Sequence, residues 1–294
     1  MRSTLSNRYF IIGIILVILC ISVIVFTRLH SSTPPVTQTE PAQLEPQHVV
    51  IGKSLQGRTI DAYSYGTGAT HLLFVGGIHG GYEWNSVLLA YTFMDYLEAN
   101  PDTIPKNITV TIIPAANPDG VYAVTNKEGR FVVSDVSTSS TILASGRFNA
   151  HTVDLNRNFD CKWQPQSTWQ TKIVSAGATA FSEPESIALK SFTTRVHQDA
   201  VIFWHSQSNA IYASQCLHGI LPTTLDIMNA YSKASKYSSN TSFDAYSTTG
   251  AADDWLASIN IPAITVELQT HNSIEWERNL SGIKALFDYF DQKK

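Results

Sequence analysis

The chain has 294 residues, 44% of them apolar and 15% charged, with a formal net charge of −4. That is ordinary globular composition, slightly poor in charge and long enough to bury a sizeable core. The mild acidic balance offers no basic patch, which argues against nucleic acid as a partner, and nothing points to an obligate protein partner.

The first stretch is unlike the rest. Tyr9 to Phe26 reads YFIIGIILVILCISVIVF, 18 residues without a charge, near the minimum that spans a bilayer as one helix. Arg2 and Arg8 precede it and Arg28 follows. A cleaved signal peptide is the alternative, but no Ala-x-Ala pattern follows Phe26. Residues 1–30 are therefore expected to be a cytoplasmic stub and a single-pass membrane anchor, with the bulk of the chain on the extracytoplasmic side. Residues 31–47 are polar, hold four prolines and lack apolar periodicity. They predict a semi-extended linker.

From His48 onward, residues 48–294, alternating apolar runs predict one α/β domain. His71 to Val75 reads as a buried strand running into Gly76 and Gly77. Val87 to Leu97 has helical spacing, and Ile108 to Ile113 is a second strand. Pro184 to Val196 predicts a helix, with Ser182 as N-cap and Glu185 three residues on. Ala200 to Trp204 is a strand that ends on His205, and Ala263 to Leu268 is one that carries Glu267. Ser273 to Tyr289 predicts a closing helix. Cys161 and Cys216 are either a disulfide or two separate thiols; the sequence leaves both open. Asn107, Asn240 and Asn279 fit the glycosylation acceptor pattern, which also arises by chance.

Several chemically apt residues fall at or just past strand ends, where ligand sites of open α/β sheets lie. GGIHGGYEWN, Gly76 to Asn85, sets His79 and Glu83 after two glycines. Imidazole and carboxylate are good zinc ligands, and catalytic zinc takes three of them. The strand before His205 delivers a third candidate. In VDLNRNF, Asn156 and Arg157 stand together, an amide beside a planar cation suited to gripping a carboxylate. Glu267 in the apolar run ITVELQ needs a metal, a charge partner or catalytic work to be stable there.

Together GGIHGGYEWN, NPDG, GRFN followed by VDLNRNF, FSEPES, WHSQS, YSTTGAADDW and TVEL resemble the zinc carboxypeptidases of the carboxypeptidase A family, in the family's order and over roughly Val50 to Leu286. The resemblance implies a single α/β domain with a mixed, mostly parallel central sheet flanked by helices. It implies one zinc ion on His79, Glu83 and His205. It implies that Asn156 and Arg157 hold the terminal carboxylate of a peptide substrate and that Arg147 polarises the scissile carbonyl. Tyr246 matches a mobile tyrosine that covers the substrate, Glu267 the general base and then proton donor, and Asp253 the base of the specificity pocket. One departure is that the usual His-x-x-Glu is His-x-x-x-Glu here. The compact length is more like the bacterial members that trim cell-wall peptides. The implied activity is hydrolysis of the C-terminal peptide bond, with a basic or diaminopimelate-like terminal residue favoured. The alternatives are a zinc amidohydrolase of small N-acyl amino acids and an inactive peptide-binding surface module.

Overall fold

The structure, a computed structural model, describes residues 45–293. The expected anchor, and all but the last three residues of the expected linker, lie outside the described residues. Among the described residues, no helix is long and apolar enough to cross a membrane.

The described residues form ten strands and seven α-helices, in order: β1 Gln47–Lys53, β2 Thr59–Tyr65, β3 Thr70–Val75, α1 Trp84–Ala99, β4 Ile108–Ile113, α2 Pro118–Thr125, α3 Ser140–Ser145, β5 Gln166–Trp169, β6 Lys172–Ser175, α4 Pro184–Arg195, β7 Ala200–Ser206, β8 Ala210–Ala213, α5 Pro222–Ser235, β9 Ser238–Asn240, α6 Ala252–Ser258, β10 Ala263–Leu268 and α7 Trp276–Gln292. Eight strands form one sheet in the order β1-β2-β4-β3-β7-β10-β8-β9. Its centre, β4-β3-β7-β10, is parallel; β1, β2 and β8 each pair antiparallel. β5 and β6 make a separate hairpin. The fold is therefore the mixed α/β sheet expected from the sequence.

The central strands are largely apolar because both faces are covered. In β3, Leu72 and Phe74 face one core layer while Leu73 and Val75 face the other. The first layer receives α1 and α7. The apolar residues of α7, Ile283, Leu286, Phe287 and Phe290, recur at helical spacing and dock there. The second layer holds Leu155, Phe159, Leu189, Trp255 and Leu256.

Two local expectations change. The N-cap of α4 is Glu183, not Ser182, and Pro184 occupies the first turn. The Ser182 hydroxyl donates to Glu183 Oε1, and the Glu185 carboxylate accepts from the Leu55 N–H instead of reaching back to its own helix. The neighbouring Glu183 and the distant Leu55 have thus claimed the two groups of the expected capping box. Asn279 is fully buried and hydrogen-bonded to Ile274 O and Tyr231, so the folded domain offers no access for a glycan there. Cys161 and Cys216 form a disulfide, with Cα atoms 6.0 Å apart.

Candidate active site

The parallel strands end on one edge, and the site is assembled there. β7 carries His205 and β10 carries Glu267, paired at the same register position. His79 and Glu83 come from the turn after β3. Gly80 has φ +47°, and a Cβ on it would meet Gly146 O at 2.4 Å and Gly120 Cα at 2.8 Å. Only glycine fits so close an approach. This tight 3-10 turn, Gly80–Glu83, absorbs the additional residue of His-x-x-x-Glu and still delivers the carboxylate.

His79, Glu83 and His205 are all buried, and one ligand atom from each lies within 4.8 Å of the others. Glu83 Oε2 stands 3.0 Å from His205 Nδ1 yet makes no hydrogen bond of acceptable geometry. Buried lone pairs that converge without partners suit a cation between them, and two imidazoles with a carboxylate are a zinc donor set. Burial, with Arg147 next, drives the His79 pKa well below the usual imidazole range, so its ring is neutral as a ligand must be. Burial also opposes protonation of His205, but Glu83 and Glu267 together raise its pKa. A divalent cation would take the place of that proton.

Asp154, wholly buried, ties the ligands to their surroundings. Its Oδ2 accepts from Arg147 Nε at 2.9 Å and lies 2.9 Å from Nη2; its Oδ1 lies 3.4 Å from His79 Nδ1. A buried carboxylate this close to an imidazole constrains how the ring is oriented. Arg147, 2% exposed, also places Nη1 3.7 Å from Glu83 Oε1 and lies over the Trp169 ring.

These groups border a cavity of about 530 Å³. Arg157 lies on its wall, fixed by bonds from Nε and Nη2 to Thr168 O and from Nη1 to Asn156 O. Asn156 Oδ1 accepts from the Ala252 N–H at 2.9 Å, which orients its amide. Tyr246 lines the same cavity against Phe243, and burial raises its phenol pKa. Asp253 also faces the cavity, with Oδ2 accepting from the Thr265 hydroxyl at 2.9 Å. It is not the solvated loop charge it would otherwise be. Burial first, then the Glu83 charge, push Glu267 up to about 7, a value suited to proton transfer near neutrality.

All nine residues singled out in the sequence thus line one cavity. Four others were not singled out. Asp154 and Tyr82 sit inside quoted motifs, Asp254 sits beside Asp253, and His271 follows Glu267 by four residues. Tyr82, Asp254 and His271 line the cavity as well. Only a long-range contact distinguishes Asp154 from a bland loop aspartate, and a sequence does not display it.

The zinc carboxypeptidase family model matches residues 37–281. The chain belongs to the zinc carboxypeptidase family. The His79, Glu83 and His205 group is where the family's single zinc would fit. Over 243 residues the chain is 26% identical to gamma-D-glutamyl-L-diamino acid endopeptidase 1 of Lysinibacillus sphaericus, covering 76% of this chain and 60% of that protein. It is 26% identical over 184 residues to the uncharacterized protein YqgT of Bacillus subtilis, covering 55% of this chain and 49% of that one. The chain therefore spans about half to three-fifths of these curated relatives. Among solved structures, murein-tripeptide amidase MpaA from Escherichia coli O157 matches with a TM-score of 0.61 at 22% identity, covering 85% of this chain and 95% of that one. Bovine thrombin-activatable fibrinolysis inhibitor matches with a TM-score of 0.65 at 21% identity, covering 86% and 92%. At such identities the structural likeness speaks for the fold.

Proposed function

We propose that this zinc carboxypeptidase-family protein releases single residues from the free C-terminus of peptides. The observation that carries the reading is the Asn156–Arg157 pair in the same cavity as the ligand set. Arg157 is a permanently charged fork, 3% exposed and fully enclosed by protein groups on its inner side. It lines the same cavity as the proposed zinc ligands, which supports a role in holding the substrate carboxylate. Asn156, its Oδ1 occupied, offers the amide nitrogen to the same anion.

Zinc on His79, Glu83 and His205 would supply Lewis acidity and a water of lowered pKa. Glu267 takes the proton of the attacking water and passes it to the leaving amine. Arg147, held by Asp154, stabilises the charge that grows on the scissile oxygen. Tyr246 covers the bound residue. Asp253 favours a terminal side chain carrying an amine, such as Lys or the distal centre of a diaminopimelate residue, because a desolvated carboxylate needs a partner. Cell-wall peptides are the substrate class in keeping with two of the similar proteins, the endopeptidase and the murein-tripeptide amidase. Product analysis with paired peptides, one ending in a free carboxylate and one in an amide, tests the core of the proposal. Release of the last residue from the free acid alone is expected; equal cleavage of both would remove Arg157 from its role.

The charge-free span from Tyr9 to Phe26 supports a membrane-anchored form with the domain on the extracytoplasmic side. Full-length protein should stay with membranes through a high-salt wash. A mature N-terminus downstream of Phe26 would make the segment a cleaved signal instead.

A further inference from the structure

His271 is held by a chain of hydrogen bonds that settles which of its ring nitrogens carries the proton. Asn85 Nδ2 donates both its hydrogens, to Thr270 O at 2.7 Å and to Ser273 O at 2.9 Å. Its Oδ1 is therefore the acceptor that faces Ser206 Oγ, 2.9 Å away. The one hydroxyl proton of Ser206 is used in that bond. At the 2.7 Å contact between Ser206 Oγ and His271 Nδ1, the imidazole must be the donor. Burial, in the main, holds the His271 pKa below the ordinary range, so the ring is neutral. A neutral ring protonated on Nδ1 carries a bare lone pair on Nε2. Nε2 has no partner among the described residues, the ring lines the cavity, and the Tyr82 ring packs edge-on against it at 4.8 Å.

The placement of this acceptor follows from the two core layers. Leu155 beside Asn156, and Ala252 and Trp255 around Asp253, belong to the second layer. Trp84 beside Asn85, and Ile274 and Trp276 after His271, belong to the first. His205 and Glu267 stand on the strand ends between them. A peptide with its terminal carboxylate at Arg157 and its scissile bond at Glu267 runs its upstream portion toward His271.

We propose that His271 is a specificity residue whose Nε2 accepts a hydrogen bond from an N–H of the substrate upstream of the scissile bond, with Asn85 and Ser206 as the positioning residues that fix its tautomer. The proposal rests on the carboxypeptidase reading above. The ligand chemistry is a peptide that keeps an amide or amine N–H there. An ester oxygen, which offers only lone pairs, is disfavoured at that position. A carboxylate there would require the ring to gain a second proton.

The test uses zinc-loaded protein and a peptide series in which successive upstream N–H groups are replaced by ester oxygens. In wild type, one replacement should lower kcat/KM about tenfold, the worth of one hydrogen bond. His271→Phe should be insensitive to that same replacement while keeping its zinc, and His271→Gln, which retains an acceptor oxygen, should recover part of the discrimination. Independently, 15N spectra of the imidazoles should show His271 protonated on Nδ1, with its Nε2 signal shifting when a peptide binds the Glu267→Gln variant. Equal sensitivity to the ester in wild type and His271→Phe, or a ring protonated on Nε2, overturns the proposal. Failure of wild type to release any terminal residue would instead overturn the carboxypeptidase reading, while the imidazole spectra would still decide the role of His271.

Discussion

Glu267 and His205 are register partners on the adjacent parallel strands β10 and β7. The separation of the proposed proton acceptor and the proposed metal ligand is therefore set by backbone ladder bonds in the buried centre of the sheet, with no loop in between. Rigid elements hold reacting groups more closely than loops do. Glu267→Gln preserves size and strand packing but cannot take a proton. Turnover should fall by at least about 10²-fold, while zinc content and melting temperature stay near those of wild type. Near wild-type turnover would make Glu267 structural.

The ligand set makes a separable prediction. His205→Ala removes one of three donors and should lose stoichiometric zinc together with activity. Metal analysis of the purified variant checks this directly. Full zinc retention would take His205 out of the site.

Asp154 reaches the metal set only through others. Asp154→Asn leaves the shape but removes the counter-charge of buried Arg147 and the acceptor beside His79. Zinc affinity should drop about 10–100-fold in a chelator competition. Unfolding free energy should fall by up to about 3 kcal/mol, because buried Arg147 loses its closest counter-charge and keeps only the Glu83 carboxylate at 3.7 Å. An unchanged zinc affinity would limit Asp154 to a structural role.

How much of this was legible in the sequence follows the range of the interaction concerned. β4 and β10 coincide with their expected bounds because buried central strands read as predominantly apolar runs. His205 and Glu267 stood out because each polar residue ends or interrupts such a run. β1 went unread: it is an edge strand whose Val49 and Val50 remain exposed, so it lacks a buried alternation. The Ser182 cap failed because tertiary partners outcompeted a local pattern. Asp154 and His271 were missed for the same reason in reverse. Asp154 joins Arg147, seven residues away, to His79, 75 residues away, and the Ser206 partner of His271 lies 65 residues away; no periodicity encodes such contacts.

The disulfide ties the segment after Arg157 to the segment after β8, across 55 residues. Both cysteines lie near the specificity end, where Cys161 and Gln215 border the cavity. A Cys161→Ser, Cys216→Ser double variant should lose about 4 kcal/mol of stability on the loop-closure estimate. KM should rise more than kcat falls, because the wall that meets the terminal side chain is loosened while the strand-borne Glu267 is not. A kcat loss at constant KM would show that the crosslink supports the chemistry instead.

Asp253 and Asp254 give the specificity reading its pH signature. Burial, then the neighbouring Asp253, push the Asp254 carboxyl up to about 7. Its Oδ1 accepts from the Gln215 N–H, and the residue borders the cavity beside Asp253. In the unfolded chain an aspartate titrates near about 4. The folded form thus binds more protons between those values, and stability falls as pH rises from about 4 to about 7. Asp254→Asn keeps the acceptor oxygen for Gln215 and removes that penalty, so the variant should melt above wild type at pH 8 and level with it near pH 4. The same ionisation adds a negative charge to the cavity. The ratio of kcat/KM for peptides ending in Lys to those ending in Leu should therefore climb as pH passes through about 7 in wild type, a comparison in which the titration of Glu267 cancels. In Asp254→Asn the climb should vanish, and in Asp253→Ala the Lys preference should collapse at every pH. A wild type that prefers Leu or Glu throughout would show that these carboxylates do not meet the terminal side chain.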